Sequence, residues 1–142
     1  MVYVDTSVFV PLFIAEPASD RVQAWFKEIP TGEAAVSHWT LVEFVSAVGA
    51  KVRTRELPEA RAILVLRQFQ STVDSSLQVI EPRTQDFAGA AKLMERFESG
   101  LRAGDALHLA VALGAGANAL ATLDAVLECA CAASGLPCVK PA

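Results

Sequence analysis

The sequence predicts an α/β fold built on a mainly parallel, five-stranded sheet. Three observations lead there. Short β-rich runs alternate with longer segments whose apolar residues recur at helical spacing. The short runs lack the polar–apolar alternation of a half-exposed sheet, which suits strands covered on both faces. The 142 residues hold no repeat, low-complexity tract or linker-like stretch, which predicts a single domain over residues 1–142 with a full core.

"VYV" (2–4) reads as the first strand, followed by a helical stretch broken at Pro11. "PASDRVQAWFKEI" (17–29) places Val22, Trp25, Phe26 and Ile29 at helical spacing. "PTG" turns the chain into "EAAVS" (33–37), a weak second strand. "HWTLVEFVSAVGAKVRTREL" (38–57) is a long helix with Leu41, Phe44, Val45 and Val48 on one side. Pro58 opens the next helix, "PEARAILVLRQFQSTV", in keeping with the fit of proline to a first helical turn. "LQVIEP" (77–82) is the clearest strand, and "TQDFAGAAKLMERFESG" (84–100) a capped helix ending at Gly100. Helix "GDALHLAVALGAG", strand "NALAT", helix "DAVLECACAASG" and a last strand "PCVKP" complete the alternation.

Apolar residues make up 53% of the chain, which predicts either an alanine-rich helical core or an apolar face kept for a partner. A net charge of -4 excludes a general nucleic-acid coat but not an enzyme that touches nucleic acid locally. Cys129, Cys131 and Cys138 form an odd set without CxxC spacing and read as small buried residues of a reducing, cytoplasmic protein. The chain opens almost directly on the Val2–Val4 run, so no signal peptide is expected. "ALHLAVALGAGANALATL" (106–123) reaches the roughly 18 residues of a membrane span. It is broken by "GAGAN" and bracketed by Asp105 and Asp124, so it reads as helix, turn and strand, with no membrane partner.

Four acids fall where such a topology gathers ligands, outside the carboxyl ends of the strands. Asp5 follows the first strand, Asp124 follows "NALAT", Asp105 opens the helix before that strand, and Glu43 lies early in the helix after "EAAVS". Each has a plainer explanation. Asp5, Asp105 and Asp124 suit helix N-termini, and Glu43 completes a capping box "TLVE" with Thr40. Yet Glu43 sits within apolar "LVEFV" and Asp105 abuts "ALHLAVAL", where a carboxylate needs a cation or strong hydrogen bonds. A set of hard oxygen donors suits Mg²⁺ or Mn²⁺ rather than zinc, and such ions serve phosphoryl transfer.

"VYVDTSVFV", the glutamate of "TLVEF", "LRAGDALHLA" and "ATLDAVL" resemble, in order and spacing, the motifs of PIN-domain ribonucleases. Across its whole length the chain looks especially like VapC-type toxins of bacterial type II toxin–antitoxin systems. The resemblance implies a PIN-like three-layer α/β/α sandwich with strand order 3-2-1-4-5. It also implies a Mg²⁺- or Mn²⁺-dependent endoribonuclease cleaving structured RNA, tRNA or rRNA, through attack of a metal-activated water. The family's four acids fall on Asp5, Glu43, Asp105 and Asp124, as catalytic residues and metal ligands. Thr6, Ser7 and Thr122 resemble its supporting hydroxyls, which orient metal-bound water or the carboxylates. The implied partners are a cognate VapB-type antitoxin and a second copy of the chain, as a homodimer and a heterotetramer or larger complex.

Lys51, Arg53 and Arg55 end the long helix, either complementing its dipole or tracking RNA phosphates. Trp39 could stack a base. His108, three residues after Asp105, reads as a core histidine rather than a general base, and His38 as a surface or capping residue. Alternatives are a non-catalytic PIN-like module binding RNA or protein, and a DNA-directed nuclease of the same fold. A phospho-acceptor receiver domain would need an acid ending its central strand, where "LQVIEP" offers only Glu81.

Overall fold

The structure, a computed structural model, describes residues 1–141. In chain order the elements are β1 (Val2–Val4), α1 (Thr6–Phe13), α2 (Ser19–Lys27), β2 (Ala34–Ser37), α3 (His38–Arg53) and α4 (Glu59–Ser76). There follow β3 (Leu77–Ile80), α5 (Thr84–Met94), a short 3₁₀ turn (Phe97–Ser99), α6 (Ala103–Gly114), β4 (Ala119–Ala121), α7 (Ala125–Ala133) and β5 (Cys138–Val139). The strands form one parallel sheet in the order β3-β2-β1-β4-β5, as the sequence motifs implied.

Alternation along the strands divides the core into two layers. Val4, Ala34, Val36 and Ala121 face α1 to α4, where Val8, Phe9, Val22, Phe44, Val48, Val65 and Phe69 close over them. Tyr3 and Leu120 point the other way, into Leu107, Leu109, Val111 and Leu127 of α6 and α7. Because successive side chains leave a strand on opposite faces, three residues of β1 serve both layers. The three central strands are apolar on both faces because helices cover both.

Four expectations are corrected. Helix α1 runs through Pro11 to Phe13 instead of breaking there. The ring lacks an N–H for the preceding turn, but it is buried and packs within the layer, which compensates. The helix expected over 84–100 ends at Met94, and Gly100, at φ 68°, caps the separate 3₁₀ turn. "LQVIEP" is a strand as expected but is not covered on both faces: it forms an edge, with Gln78 and Val79 exposed. Glu81 therefore follows an edge strand rather than the central one and cannot be the acid that the receiver-domain alternative required of "LQVIEP". Of the cysteines, Cys131 is buried but Cys129 is exposed, since residues two apart on α7 cannot share a face.

Among the described residues no helix is long and apolar enough to cross a membrane. The apolar run 106–123 resolves into most of α6, a turn at Gly116 (φ 68°) and β4.

Candidate active site

The register sets β1 beside β4, with Val4 opposite Ala121, so the next residues, Asp5 and Thr122, emerge side by side. From β1 the chain winds towards β2, and from β4 towards β5. This is the point where strand order reverses, and the crevice beyond it is where open α/β sheets bind ligands.

Asp5 is almost wholly buried, at 4% exposure, and its carboxylate is fixed by three donors. The Ser7 N–H donates to Oδ1 at 2.7 Å, and the Ser7 hydroxyl to Oδ2 at 2.8 Å. The Thr122 hydroxyl donates to Oδ2 as well. Those hydroxyls are themselves held from the segment between β4 and α7. The Leu123 N–H donates to Ser7 Oγ and the Asp124 N–H to Thr122 Oγ1, each at 2.9 Å. Asp5 therefore caps α1 and is locked to the neighbouring strand at once. Asp124 caps α7 by accepting from the Leu127 N–H at 2.9 Å.

Glu43 and Asp105 have no capping role. The box at the start of α3 closes between Ser37 and Thr40, with Thr40 Oγ1 accepting from the Ser37 N–H at 3.2 Å. This corrects the assignment of Glu43 to a "TLVE" box: the strand runs straight into the helix, which moves the cap back by three residues. Asp105 lies in the first turn of α6, whose cap position is Arg102.

Asp5, Thr6, Ser7, Glu43, Asp105 and Asp124 line one cleft of about 380 Å³, whose other wall is Val10 with Ser46, Ala47 and Ala50 of α3. A second depression on the far side is shared by Glu43, Asp105 and Asp124 with Trp39, Arg102 and Gly104. The Trp39 indole N–H is buried there without a hydrogen-bond partner. All four acids are thus brought to one place. Lys51, Arg53 and Arg55 lie further along α3 and in the turn after it; Lys51 is paired with Glu16 at 2.9 Å and Glu56 at 3.3 Å, while Arg53 and Arg55 are exposed.

The charges in the cleft are unevenly compensated. Burial pushes the Asp105 carboxyl up, and the nearby charges of Asp124, Asp5 and Glu43 raise it further, to about 6. For Glu43 burial also favours the neutral acid, but hydrogen bonds, first from His108 and then from Thr6, outweigh it and hold the carboxyl below its ordinary value. Thr6 donates to Glu43 Oε1 at 2.6 Å, and His108 Nε2 lies 2.6 Å from the same oxygen. His108 Nδ1 is 2.8 Å from the hydroxyl of Tyr3, whose phenol burial pushes up to about 12.

Reading His108 as a core histidine thus missed its contact with an acid of the cleft. Its spacing from Asp105 was the available signal, but only the fold puts Glu43 within reach. Arg102 and Gly104 had no signal beyond the motif around them.

Among the described residues, no three of His, Cys, Asp and Glu converge on one preformed ion position, and none of the four acids is paired with a lysine or arginine. The donor set fits a hard divalent cation of the Mg²⁺ type, which takes one or two carboxylates and keeps several waters. The neighbouring negative charges that raise the Asp105 carboxyl are what such an ion would relieve.

Comparisons with known proteins agree with this geometry. The VapC20 toxin of Mycobacterium tuberculosis, described as cleaving the sarcin–ricin loop, superposes with a TM-score of 0.73 at 18% identity, over 92% of this chain and 95% of that one. FitAcB from Neisseria gonorrhoeae gives 0.72 at 21% identity over 99% and 98% of the two chains. DNA-bound VapBC from Salmonella typhimurium gives 0.73 at 17% identity, again over 99% and 98%. At such identities the likeness is one of fold. No curated protein sequence matches significantly. The PIN-domain family profile, however, matches residues 2–131, a span that holds all four acids and both layers of the core. The chain belongs to the PIN-domain family.

Proposed function

We propose that this chain is a divalent-metal-dependent endoribonuclease and the toxin of a two-protein toxin–antitoxin pair. The observation that carries the reading is the single cleft at the strand-order reversal in which Asp5, Glu43, Asp105 and Asp124 meet without a compensating lysine or arginine. When bound, Mg²⁺ or Mn²⁺ would supply Lewis-acid polarisation of the attacking water and of the scissile phosphate. Asp5, Glu43, Asp105 and Asp124 would hold the ion. Ser7 and Thr122 keep the Asp5 carboxylate in one orientation, and Thr6 does the same for Glu43.

The small side chains of Ser46, Ala47 and Ala50 leave room for a phosphodiester strand beside the acids. Trp39 and Arg102 on the other side offer a ring for an unstacked base and a cation for a phosphate. Further along, Arg53 and Arg55 extend the electrostatic attraction, whereas Lys51 is engaged by its two glutamates. The substrate in this reading is structured RNA, tRNA or rRNA, in keeping with the sarcin–ricin-loop cleavage described for the mycobacterial neighbour, and the proposed site of action is the cytoplasm. The solved toxin–antitoxin complexes of the same fold support a VapB-type antitoxin as partner. The same reading extends to assembly as a homodimer, or with antitoxin as a heterotetramer or larger complex.

The test is incubation of antitoxin-free protein with total tRNA and rRNA, with Mg²⁺ or Mn²⁺ and with chelator. Discrete fragments that disappear with chelator are expected. Folded protein that binds Mn²⁺ and leaves every RNA intact would favour the non-catalytic binding module instead.

A second expectation concerns Gly104. A Cβ there would lie 2.7 Å from Glu43 Oε2 and 3.3 Å from the Trp39 ring. Gly104→Ala must therefore displace the carboxylate, with an expected loss of cleavage of roughly 10- to 100-fold. Thermal stability should hold or rise, since alanine is favoured over glycine in a helix by about 1 kcal/mol. Equal cleavage by parent and variant would remove Glu43 from the site.

A further inference from the structure

His108 has no exposed surface, yet both ring nitrogens have partners. Nε2 lies 2.6 Å from Glu43 Oε1 and Nδ1 lies 2.8 Å from Tyr3 Oη. Beyond Tyr3 the chain of polar groups continues to Ser37 Oγ at 2.9 Å and to Thr40 Oγ1 at 3.4 Å. These groups come from β1, β2, α3 and α6, and they cross the layer boundary beneath the cleft. An apolar residue would fill this position in a stretch of helix, residues 106–113, that is otherwise Ala, Leu and Val.

Hydrogen-bond roles can be assigned along the chain from its end. An ionised carboxylate only accepts, so Nε2 must carry a hydrogen towards Glu43. In a neutral ring Nδ1 is then an acceptor, which makes the Tyr3 hydroxyl its donor. The Ser37 hydroxyl can in turn donate to the Tyr3 oxygen. Every group is satisfied without charging the ring.

The far end of the chain explains what the arrangement achieves. Oε1 of Glu43 takes two hydrogen bonds, from His108 and from Thr6, whose hydroxyl is 2.6 Å away. Oε2 lies on the side of Gly104, where the missing Cβ leaves space, in a depression shared with Asp105 and Asp124.

We propose that His108 is a positioning residue: held in its Nε2–H form by the Tyr3 hydroxyl, it fixes Glu43 Oε1 together with Thr6 and so turns Oε2 towards the cation site. The role assigned to Oε2 rests on the metal-dependent nuclease reading. The relay itself rests on the hydrogen-bond geometry. Groups that orient a ligating carboxylate in this way typically set metal affinity by roughly 10- to 100-fold.

Two measurements test it, both without RNA. Long-range ¹H–¹⁵N correlation spectra of the metal-free protein should place the His108 proton on Nε2, with Nδ1 bare. A proton on Nδ1, alone or together with one on Nε2, overturns the relay. Calorimetric titration with Mn²⁺ should show His108→Leu binding about 10- to 100-fold more weakly than the parent. His108→Gln, whose amide N–H can reach towards Glu43, should recover most of the affinity.

Equal Mn²⁺ affinity in the parent and the Leu variant overturns the proposal, and so does a Gln variant no better than a folded Leu variant. Should His108→Leu fail to fold, Tyr3→Phe keeps the question open to decision. It removes only the donor to Nδ1, and should both shift the ring proton and weaken Mn²⁺ binding. A Phe variant unchanged in both respects overturns the relay. A parent protein that binds no Mn²⁺ would reject the nuclease reading, while the proton position would still decide the relay.

Discussion

Asp105→Asn is expected to abolish cleavage while making the protein more stable at neutral pH. The two effects have one origin. Burial and then the charges of Asp124, Asp5 and Glu43 raise the Asp105 carboxyl from an ordinary 3.8 to about 6. An acid that holds its proton more tightly folded than unfolded stabilises the fold fully below about pH 4, and that contribution is lost as pH rises through about 6. At pH 7 its charge is therefore a net cost. Asparagine keeps the shape and removes the charge. The site is open to solvent, so the gain is about 1 kcal/mol rather than the full value of the shift.

The expected signature is a melting temperature above the parent's at pH 7.5, with the difference closing as pH falls towards 4. Cleavage should fall by roughly 100-fold or more, since metal stabilisation of the transition state is worth several kcal/mol and each factor of ten about 1.4. Added Mn²⁺ should raise the melting temperature of the parent more than that of the variant. A variant that cuts at the parent rate would place the chemistry elsewhere. Asp5 is a poorer choice for this test. It caps α1 and accepts from Ser7 and Thr122, so Asp5→Ala strands those donors and costs stability for reasons unrelated to metal.

That contrast marks how far the sequence could be read. The alternation of short strands and helices revealed an α/β fold, and the four acids in order pointed to the strand ends. What periodicity could not supply was the distance between chain segments. Glu43 and His108 are 65 residues apart, and neither neighbourhood hints at a hydrogen bond between them. Nor could local patterns separate the two kinds of acid. A cap and a ligand look alike in "VDTS" and "LDAV", and in the structure Asp5 and Asp124 cap helices while also lining the cleft. Only Glu43 and Asp105 fall outside capping geometry altogether. Element ends were misjudged at Pro11 and over 95–100, where packing and a left-handed glycine overrode local propensity.

The fold that holds these acids together depends on an aromatic cluster on the α1–α4 side of the sheet, and Phe69→Ala is expected to destabilise the protein by about 3–5 kcal/mol. Phe69, on α4, stacks on Phe44 of α3 with centroids 3.9 Å apart. It also meets Phe9 and Phe13 of α1 edge-on, at 5.5 and 5.7 Å. Its side chain is 3% exposed, so truncation leaves a cavity bordered by three helices. Such a loss is a large fraction of the 5–15 kcal/mol typical of a domain and should lower the melting temperature by about 10 °C or more. Phe97, 88% exposed on the 3₁₀ turn, is the matched control: Phe97→Ala should change stability by less than about 0.5 kcal/mol. The effect of Phe69→Ala should also reach the cleft. Phe44 adjoins Glu43, and Phe9 lies one turn beyond Asp5, so loosening α1 against α3 weakens the Thr6–Glu43 hydrogen bond that spans them. At a temperature where the variant remains folded, cleavage should therefore fall, whereas a variant with full activity there would mean that α1 and α3 are held together by the sheet alone.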